Sequence, residues 1–343
     1  MDQTQSITLK DIARDLNVSI TTVSKALNNH PDISEKRKKE ILEYAERKNY
    51  VPNTMAQSFR TQKSNLIGMI LTDNTNPYNA RIIKGLEAGL SESGYHCIIA
   101  NNGEDEEREM QMIKELVGMN AAGVLITPAR GNRKSCQYMT ALGVPYVLVD
   151  RYLEKDKDAY VAIDDEGAAF EATNYLATYR NEKIFFLNYL SGISSTDNRL
   201  LGYRRALEAN GMAFVPEHVF DSCFDETDGY ETLVRILEKH KPPFSVLCYS
   251  DYIALGVVCA LQERGYQSPF DVPVMGNDDI GILSYVKPRL TTIAVPKYRL
   301  GYKCSEFLVE MIKRKQEQLP FDEEFMRNKR QIVRTETLIR ETA

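Results

Sequence analysis

The chain has no tryptophan, only four histidines, and six cysteines that never form a C-x-x-C pair. The cysteines are Cys97, Cys136, Cys223, Cys248, Cys259 and Cys304. Structural zinc sites and disulfide frameworks need clustered ligands, so we expect buried, reduced thiols, no metal and no other cofactor. Because tryptophan is absent, any stacking on the face of a sugar ring must come from tyrosine or phenylalanine.

Long hydrophobic runs are also missing. The longest apolar stretches, such as residues 66–71, are far too short to cross a bilayer. The N-terminal residues MDQTQS have neither the basic nor the apolar segment of a leader peptide. These absences predict a cytoplasmic protein without a membrane partner, and they disfavour a secreted receptor.

Signatures of catalysis are absent too. The sequence contains no glycine-rich phosphate loop and no G-x-S-x-G nucleophile elbow. It does contain the paired acids Asp164-Asp165 and Asp278-Asp279, but adjacent side chains on an extended segment point in opposite directions. We therefore expect the protein not to be an enzyme.

Length and charge indicate more than one domain. A chain of 343 residues exceeds the usual size of a single hydrophobic core, while 43% apolar and 27% charged residues are ordinary for globular proteins. The net charge of -5 is uneven: residues 1–63 carry 11 Lys and Arg against 8 Asp and Glu, a balance of +3, so the remainder carries -8. Nucleic acid would be drawn to the N-terminal part and repelled by the rest.

The N-terminal part, which we call the head, is predicted to be helical. Thr8 and Asp11 have the spacing of a capping box, so a helix is predicted to begin at Leu9. It should end at Asn17, because asparagine tolerates the left-handed conformation of a tight turn. Ser19 can cap a second helix. Two short helices about three residues apart are typical of a helix-turn-helix.

The second helix is predicted to pack inward through Val23, Ala26 and Leu27. Its outward residues are then short, bear hydroxyl or methyl groups and include one cation: Ile20, Thr21, Thr22, Ser24 and Lys25. Such a surface suits a helix that touches base edges in a DNA groove, although a solvated helix face can have the same composition.

A third helix is predicted to begin after Ser34. Its apolar residues Ile41, Leu42 and Ala45 should face the other two helices, and the basic residues 36–39 should face solvent.

Residues 52–65, PNTMAQSFRTQKSN, form a linker between the head and the rest of the chain, which we call the body. About eight of them, residues 53–60, are predicted to form two turns of helix. A helix this short is marginal in water, because nucleation is unfavourable and few residues propagate it. We expect it to order only when something binds, so it can act as a switch.

In the body, short apolar runs alternate with helical stretches. The predicted strands cover residues 66–72, 95–100, 121–127, 144–149, 183–190, 244–249, 272–275 and, at the end of the chain, 331–340. This alternation predicts parallel sheets with helices on both faces, and about 280 residues favour two doubly wound lobes. Ligands bind such sheets in the cleft at the carboxyl ends of the strands.

The loops that follow these strands are rich in carboxylates, amides and arginine. They comprise residues 73–78, 150–151, 163–164, 194–199, 250–251 and 277–279. Each buried hydroxyl of a ligand needs both a donor and an acceptor, so this combination with an aromatic ring fits a sugar best. Because any single aspartate after a strand can be a helix cap or a turn residue, the prediction depends on the loops converging.

The stretch TLKDIARDLNVSITTVSKALN, with the linker after it, resembles the N-terminus of the lactose/galactose repressor (LacI/GalR) family of bacterial transcription regulators. The likeness continues through NPY, VDR, NRLLGYRRAL, SDYIALG, GNDDI and PRLTTI in the body. It implies a helix-turn-helix DNA-binding domain at 1–51, a hinge helix and linker at 52–65, and a two-lobed effector-binding and dimerisation domain of periplasmic-binding-protein type at 66–343.

The resemblance also implies which residues bind DNA. They are Thr8, Ser19, Ile20, Thr21, Thr22, Ser24, Lys25, Asn28, Asn53, Ala56, Gln57, Phe59 and Arg60. In the family, the positions of Ile20, Thr21 and Lys25 read bases in the major groove. Phe59 stands where the family has a leucine that wedges into the central base step, a role open to phenylalanine. A core contact with the body is the alternative for Phe59.

In the cleft, the resemblance implies that Asn76, Tyr78, Asp150, Arg199, Ser250 and Asp278 bind the effector. Two positions depart from the family pattern. Asn17 replaces a glycine, which the turn tolerates, and Asn277 replaces an aromatic or aliphatic residue, which we expect to alter the cleft wall.

The partners implied by the resemblance are pseudo-palindromic operator DNA, a second copy of the chain and a small-molecule effector, with a sugar as the leading candidate. No leucine-heptad tail follows residue 340, so the expected homodimer should not become a tetramer by that route. A purine- or nucleoside-responsive regulator is the main alternative, and a sugar receptor or enzyme without a DNA role is a further one.

Overall fold

A computed structural model of the chain describes residues 7–51, 64–179 and 183–343. The chain divides into two compact units, Met1–Gln62 and Lys63–Ala343. The predicted hinge helix, with Asn53, Ala56, Gln57, Phe59 and Arg60, lies outside the described residues.

Between residues 7 and 51 the head contains three helices, α1 (Leu9–Asp15), α2 (Ile20–Leu27) and α3 (Glu35–Arg47). The capping box of Thr8 and Asp11 is present, and the Ser19 side chain accepts a hydrogen bond from the Thr22 backbone, as predicted. Asn17 has a φ of 50°, which confirms the predicted left-handed turn between α1 and α2. The fully buried Ile12, Val23 and Ile41 join the three helices in one small core.

Three predictions about facing in the head are wrong. Ser24 is only 8% exposed, so it does not belong to the outward surface of α2. On α3, Lys38 is 7% exposed and Leu42 is 48% exposed, the reverse of what was predicted. Lys38 lies three residues before Ile41 and seven before Ala45, on the buried helical stripe, whereas Leu42 is turned about 100° away from Ile41. The Lys38 ammonium reaches Glu35 at 2.7 Å instead of solvent.

The first lobe of the body is built from alternating strands and helices. In chain order they are β1 (Leu66–Leu71), α4 (Pro77–Glu92), β2 (His96–Asn101), α5 (Glu106–Gly118), β3 (Gly123–Ile126), α6 (Arg133–Ala141), β4 (Tyr146–Val149) and β5 (Tyr160–Ile163). The strands are almost entirely buried apolar runs except β2, which is an edge strand.

The second lobe repeats this alternation. It contains α7 (Asp165–Ala177), β6 (Ile184–Leu187), α8 (Ser194–Ala209), β7 (Val219–Phe220), α9 (Glu226–Lys239), β8 (Ser245–Cys248), α10 (Asp251–Glu263), β9 (Val274–Met275) and β10 (Thr292–Ala294), with 3-10 turns at Pro216–His218 and Gly281–Ser284. The chain ends with α11 (Lys297–Gln316), α12 (Glu323–Arg327), β11 (Arg330–Val333) and β12 (Glu336–Leu338).

The sheets confirm two parallel lobes. The first lobe has the strand order β11-β5-β4-β3-β1-β2 and the second has β7-β6-β8-β9, with all neighbours parallel. β10 and β12 form a separate antiparallel pair. Within the described residues, no helix is both long and apolar enough to span a membrane.

The prediction of one closing strand at 331–340 is wrong. β11 pairs with β5 in the first lobe, while β12 pairs with β10, so the segment breaks between Val333 and Glu336. The chain passes between the lobes three times: from β5 to α7, from β10 to α11 and from β11 to β12. The sequence pattern also missed β5, β7 and β10. β7 and β10 have only two and three residues, too few to show a period, whereas β5 is as long as β3 and β4.

Candidate functional site

A cavity of about 290 Å³ opens between the two lobes of the body. All six residues predicted to bind an effector line it: Asn76, Tyr78, Asp150, Arg199, Ser250 and Asp278. The other lining residues are Thr72, Asp73, Asn79, Gly103, Glu104, Thr127, Arg151, Tyr189, Phe224 and Tyr249. Almost all of them follow the carboxyl end of a parallel strand, and this placement explains why residues so far apart in sequence converge.

Tyr78 and Asp150 form the polar wall contributed by the first lobe. The Asn76 side chain caps α4 by accepting a hydrogen bond from the Tyr78 backbone at 2.9 Å. The Tyr78 hydroxyl then donates to Asp150 Oδ1 at 2.6 Å. Burial, followed by the charges of Asp150 and Asp278, holds the pKa of Tyr78 well above its usual range. The phenol therefore keeps its proton and orients the carboxylate towards the cavity.

Arg199 dominates the wall contributed by the second lobe. Its Nε donates to Asp165 Oδ1 at 2.7 Å and its Nη1 donates to the Tyr249 carbonyl at 2.5 Å. The guanidinium also lies over the Tyr249 ring, 4.1 Å from its centroid. Burial raises the pKa of Asp165 to about 7, although the guanidinium of Arg199 opposes that shift.

Asp278 lies at the centre of the second lobe's polar loop. It is buried, with a φ of 126°, and it accepts a hydrogen bond from Asn277 Nδ2 at 2.8 Å. Burial, followed by the charge of Asp251, raises the pKa of Asp278 well above its usual value. The expectation that Asn277 alters the cleft wall is wrong: Asn277 is 2% exposed, does not line the cavity and supports Asp278 from behind.

The sequence interpretation missed a ladder of aromatic rings in the second lobe. Tyr189 and Tyr249 are stacked with centroids 5.1 Å apart, and Phe224 meets Tyr189 edge to face at 5.2 Å. The two tyrosines lie at the carboxyl ends of predicted strands, which was a usable signal. Phe224 follows β7, which has only two residues and gave no signal in the sequence. Its side chain is half-exposed at the rim of the cavity.

The two lobes also touch directly beside the cavity. The Tyr152 backbone N–H donates to Ser194 Oγ at 3.0 Å, and Asn198 Nδ2 donates to the Tyr152 hydroxyl at 2.8 Å. Tyr152 belongs to the first lobe, whereas Ser194 and Asn198 lie on α8 of the second. These contacts join the two lobes on one side of the cleft.

In the head, α2 presents the face that was expected to contact DNA. Ile20 is 43% exposed, and Thr21 and Asn28 are also exposed. Lys25 is half-exposed, with its ammonium 2.7 Å from Asp32. Thr8, Ser19 and Thr22 lie at the starts of α1 and α2, and their hydroxyls take part in capping contacts. A short, weakly charged helix face of this kind can enter a major groove.

In the described parts of the chain, no three His, Cys, Asp or Glu side chains lie close enough together to hold a metal ion.

Comparisons with known proteins agree with this architecture. Residues 8–53 match the model of bacterial regulatory proteins of the lacI family, and residues 64–331 match that of periplasmic binding proteins and the sugar-binding domain of the LacI family. The Bacillus subtilis protein named "Probable HTH-type transcriptional repressor ExuR" is 32% identical over 311 residues, covering 89% of this chain and 92% of that protein. The ribose operon repressor of Haemophilus influenzae is 30% identical over 306 residues, with coverage of 89% and 92%.

A solved structure shares the fold over nearly the whole chain. The crystal structure of the lac repressor dimer bound to operator and the anti-inducer ONPF superposes with a TM-score of 0.84 at 20% identity, covering 98% of this chain and 99% of that one. The family models match both units, and the two relatives reach at least 30% identity over most of their length. The chain therefore belongs to the LacI family of bacterial regulatory proteins, which are transcriptional repressors and not enzymes.

Proposed function

We propose that this protein is a sequence-specific DNA-binding repressor whose operator affinity is controlled by a sugar bound between the lobes of the body. The observation that carries the proposal is that one chain contains two kinds of binding site. One is a helix-turn-helix whose α2 face is exposed, and the other is a cleft between two lobes that is lined by carboxylates, a guanidinium and aromatic rings. The helix-turn-helix binds specific DNA sequences and the cleft binds a small molecule. A protein with only one of these functions would not need both.

In the head, Ile20, Thr21 and Lys25 contact base edges in the major groove. The hydroxyls of Thr8, Ser19 and Thr22 hold phosphates, and Asn28 extends the same surface. Ser24 is buried in the head and contributes to DNA binding through the position of α2.

Residues 52–65 connect the head to the body. Residues 53–60 form a hinge helix on the operator, where Asn53, Ala56, Gln57 and Arg60 approach the DNA and Phe59 wedges into the central base step. Two copies of the chain bind the half-sites of a pseudo-palindrome, which the likeness in fold to a repressor dimer on operator supports. A coupling of about 1 to 3 kcal/mol is typical of allostery and is enough to tip a marginal helix.

A sugar fits the cleft by size and by chemistry. A volume of about 290 Å³ lies near the lower end of ligand pockets. Asp150, Asp278 and Arg199 supply acceptors and donors for hydroxyl groups, and the ring of Tyr249 or Phe224 can cover an apolar sugar face. The ribose operon repressor among the relatives supports the same class of ligand. A purine is the second candidate, favoured by the stacked rings of Tyr189 and Tyr249, which suit a flat base.

The site of action is the cytoplasm, because a repressor must reach chromosomal DNA. Selection of binding sites from a pool of random duplexes tests the whole proposal. We expect the full-length protein to enrich a pseudo-palindrome and to give a saturable gel shift with it. A sugar that raises the melting temperature of the protein should also move that shift. Absence of any sequence-dependent shift would contradict a repressor, and a thermal response to purines alone would contradict a sugar sensor.

A further inference from the structure

The two guanidinium groups that line the cleft are both already paired with carboxylates. Arg199 is bound to Asp165, and Arg151 Nη2 lies 2.8 Å from Glu104 Oε1. The Arg151 side chain is 8% exposed and that of Glu104 is 15% exposed, so water screens their attraction little. A ligand entering the cleft therefore finds a protein carboxylate already beside each of these guanidinium groups.

Glu104 is held in this position by its backbone. It follows β2 in a tight turn with a φ of 62°, in the left-handed region, and its N–H donates to Asn102 Oδ1 at 3.1 Å. Asn102 is fully buried, and its Nδ2 donates to the Thr127 carbonyl at 3.0 Å and to Glu109 at 2.8 Å. The turn that carries Glu104 is thus tied to the interior of the first lobe.

Arg151 is held as firmly. It is 6% exposed, and its Nη1 donates to the Pro128 carbonyl at 3.2 Å. The ion pair consequently cannot swing away as a unit when a ligand enters. An anionic ligand that takes Arg151 Nη2 must displace Glu104, which would leave a buried carboxylate without its cation, while Arg151 Nε is buried and has no hydrogen-bond partner among the described residues.

The other charged groups of the lining also favour an uncharged ligand over an anionic one. The described lining residues include four carboxyl groups, on Asp73, Glu104, Asp150 and Asp278, against the two guanidinium groups of Arg151 and Arg199. A carboxylate on a ligand would lie among these acidic groups, of which Asp278 is held towards its neutral form because burial raises its pKa. The hydroxyl groups of an uncharged sugar instead donate hydrogen bonds to the acidic side chains.

We infer that Glu104 is a specificity-determining residue, which makes the cleft select an uncharged sugar over the corresponding uronic acid by occupying Arg151. The inference rests on the proposed sugar-sensing function and narrows it. Removing the charge of Glu104 while keeping its shape should free Arg151 and admit the uronic acid.

The test uses the full-length chain and matched pairs of probes: galactose with galacturonate, and glucose with glucuronate. Binding is measured by calorimetry for the wild type, for Glu104→Gln and for Glu107→Gln. Glu107 lies three residues along the chain, is exposed and does not line the cavity, so it is a charge-matched control. We expect the wild type to bind the neutral member of at least one pair at least tenfold more tightly than the acid. Glu104→Gln should reduce that ratio at least tenfold, and Glu107→Gln should leave it unchanged.

A second measurement needs no variant and covers the case in which Glu104→Gln does not fold. The methyl ester of galacturonate has nearly the shape of the acid but no charge, so the wild type should bind the ester at least tenfold more tightly. Equal affinity for ester and acid, or an unchanged ratio in folded Glu104→Gln, would overturn the role of Glu104. Absence of binding to every sugar and uronate would instead refute the sugar-sensing function itself.

Discussion

Arg199 Nε lies 2.7 Å from Asp165 Oδ1, and both side chains are buried. Arg199 lines the cleft from α8, whereas Asp165 is the first residue of α7, immediately after the chain crosses from the first lobe to the second. The pair thus connects a residue that lines the cleft to one of the three segments in which the chain passes between the lobes.

Loss of this pair should destabilise the body strongly. Replacing Arg199 by alanine leaves Asp165 buried without its cation, and breaking a buried pair costs about 3–5 kcal/mol. Urea unfolding monitored by circular dichroism measures the change in free energy of unfolding. Arg205→Ala is the matched control on the same helix, because its pair with Glu166 is partly exposed and such pairs are worth at most about 1 kcal/mol. Equal effects of the two variants would show that the Arg199 pair has no special structural role.

The contact between Tyr152 and Asn198 should favour the closed cleft. Tyr152→Phe removes the hydroxyl that accepts the hydrogen bond from Asn198 Nδ2 across the lobes. Because a neutral hydrogen bond is worth about 1 kcal/mol, a ligand that binds the closed form should bind roughly fivefold more weakly. Calorimetry with a sugar that raises the melting temperature of the protein measures this change. Tyr138→Phe, on α6 and outside the cavity lining, should have no effect; a loss of affinity equal in both variants would exclude a specific role for the contact.

Lys25 should determine the preferred half-site. In the head its ammonium lies 2.7 Å from Asp32, and DNA must compete with this exposed pair. Lys25→Ala should reduce discrimination at one base pair by about 1–3 kcal/mol, as expected for a direct base contact. Gel-shift titrations against a set of single-base operator variants measure it. Lys36→Ala, in the exposed part of α3, should leave the discrimination between operator variants unchanged; if Lys25→Ala weakens all operators alike, Lys25 contacts phosphate and not a base.

Phe59 should act as the wedge of the hinge. Phe59→Ala is expected to lower operator affinity at least tenfold and to reduce DNA bending, because a duplex that is not kinked wraps less of the protein surface. The head should remain folded, as judged by circular dichroism and by residual non-specific DNA binding. Unchanged affinity and unchanged bending would refute the wedge and favour a contact between Phe59 and the body.

Acid should weaken the attachment of the C-terminal segment. Lys287 hydrogen-bonds Glu341, and with the Arg289 backbone it holds the pKa of Glu341 at about 2, below the ordinary 4.5. A carboxyl group with a lowered pKa stabilises the fold above its unfolded pKa and loses that contribution as pH falls towards the folded pKa. The urea midpoint of the wild type should exceed that of Glu341→Gln at pH 6, and the difference should shrink by pH 3. A difference independent of pH would show that the charge of Glu341 contributes nothing.

Sequence alone determined the local features, because their causes are local. The caps at Thr8 and Ser19 depend on residues three positions away, and the left-handed turn at Asn17 depends on that residue itself. The alternation of apolar runs with helices predicted two parallel lobes, and the rule that loops at the carboxyl ends of strands converge placed all six cleft residues together.

The tertiary structure decided what depends on partners distant in sequence. Tyr78 meets Asp150 across 72 residues and Arg199 meets Asp165 across 34, and no local pattern encodes such pairs. It also split residues 331–340 between two lobes, buried Ser24 and Lys38, and brought Glu104 to Arg151. Periodicity states which face of an element is apolar, but only packing against other elements decides which neighbour covers that face and which polar groups are enclosed with it.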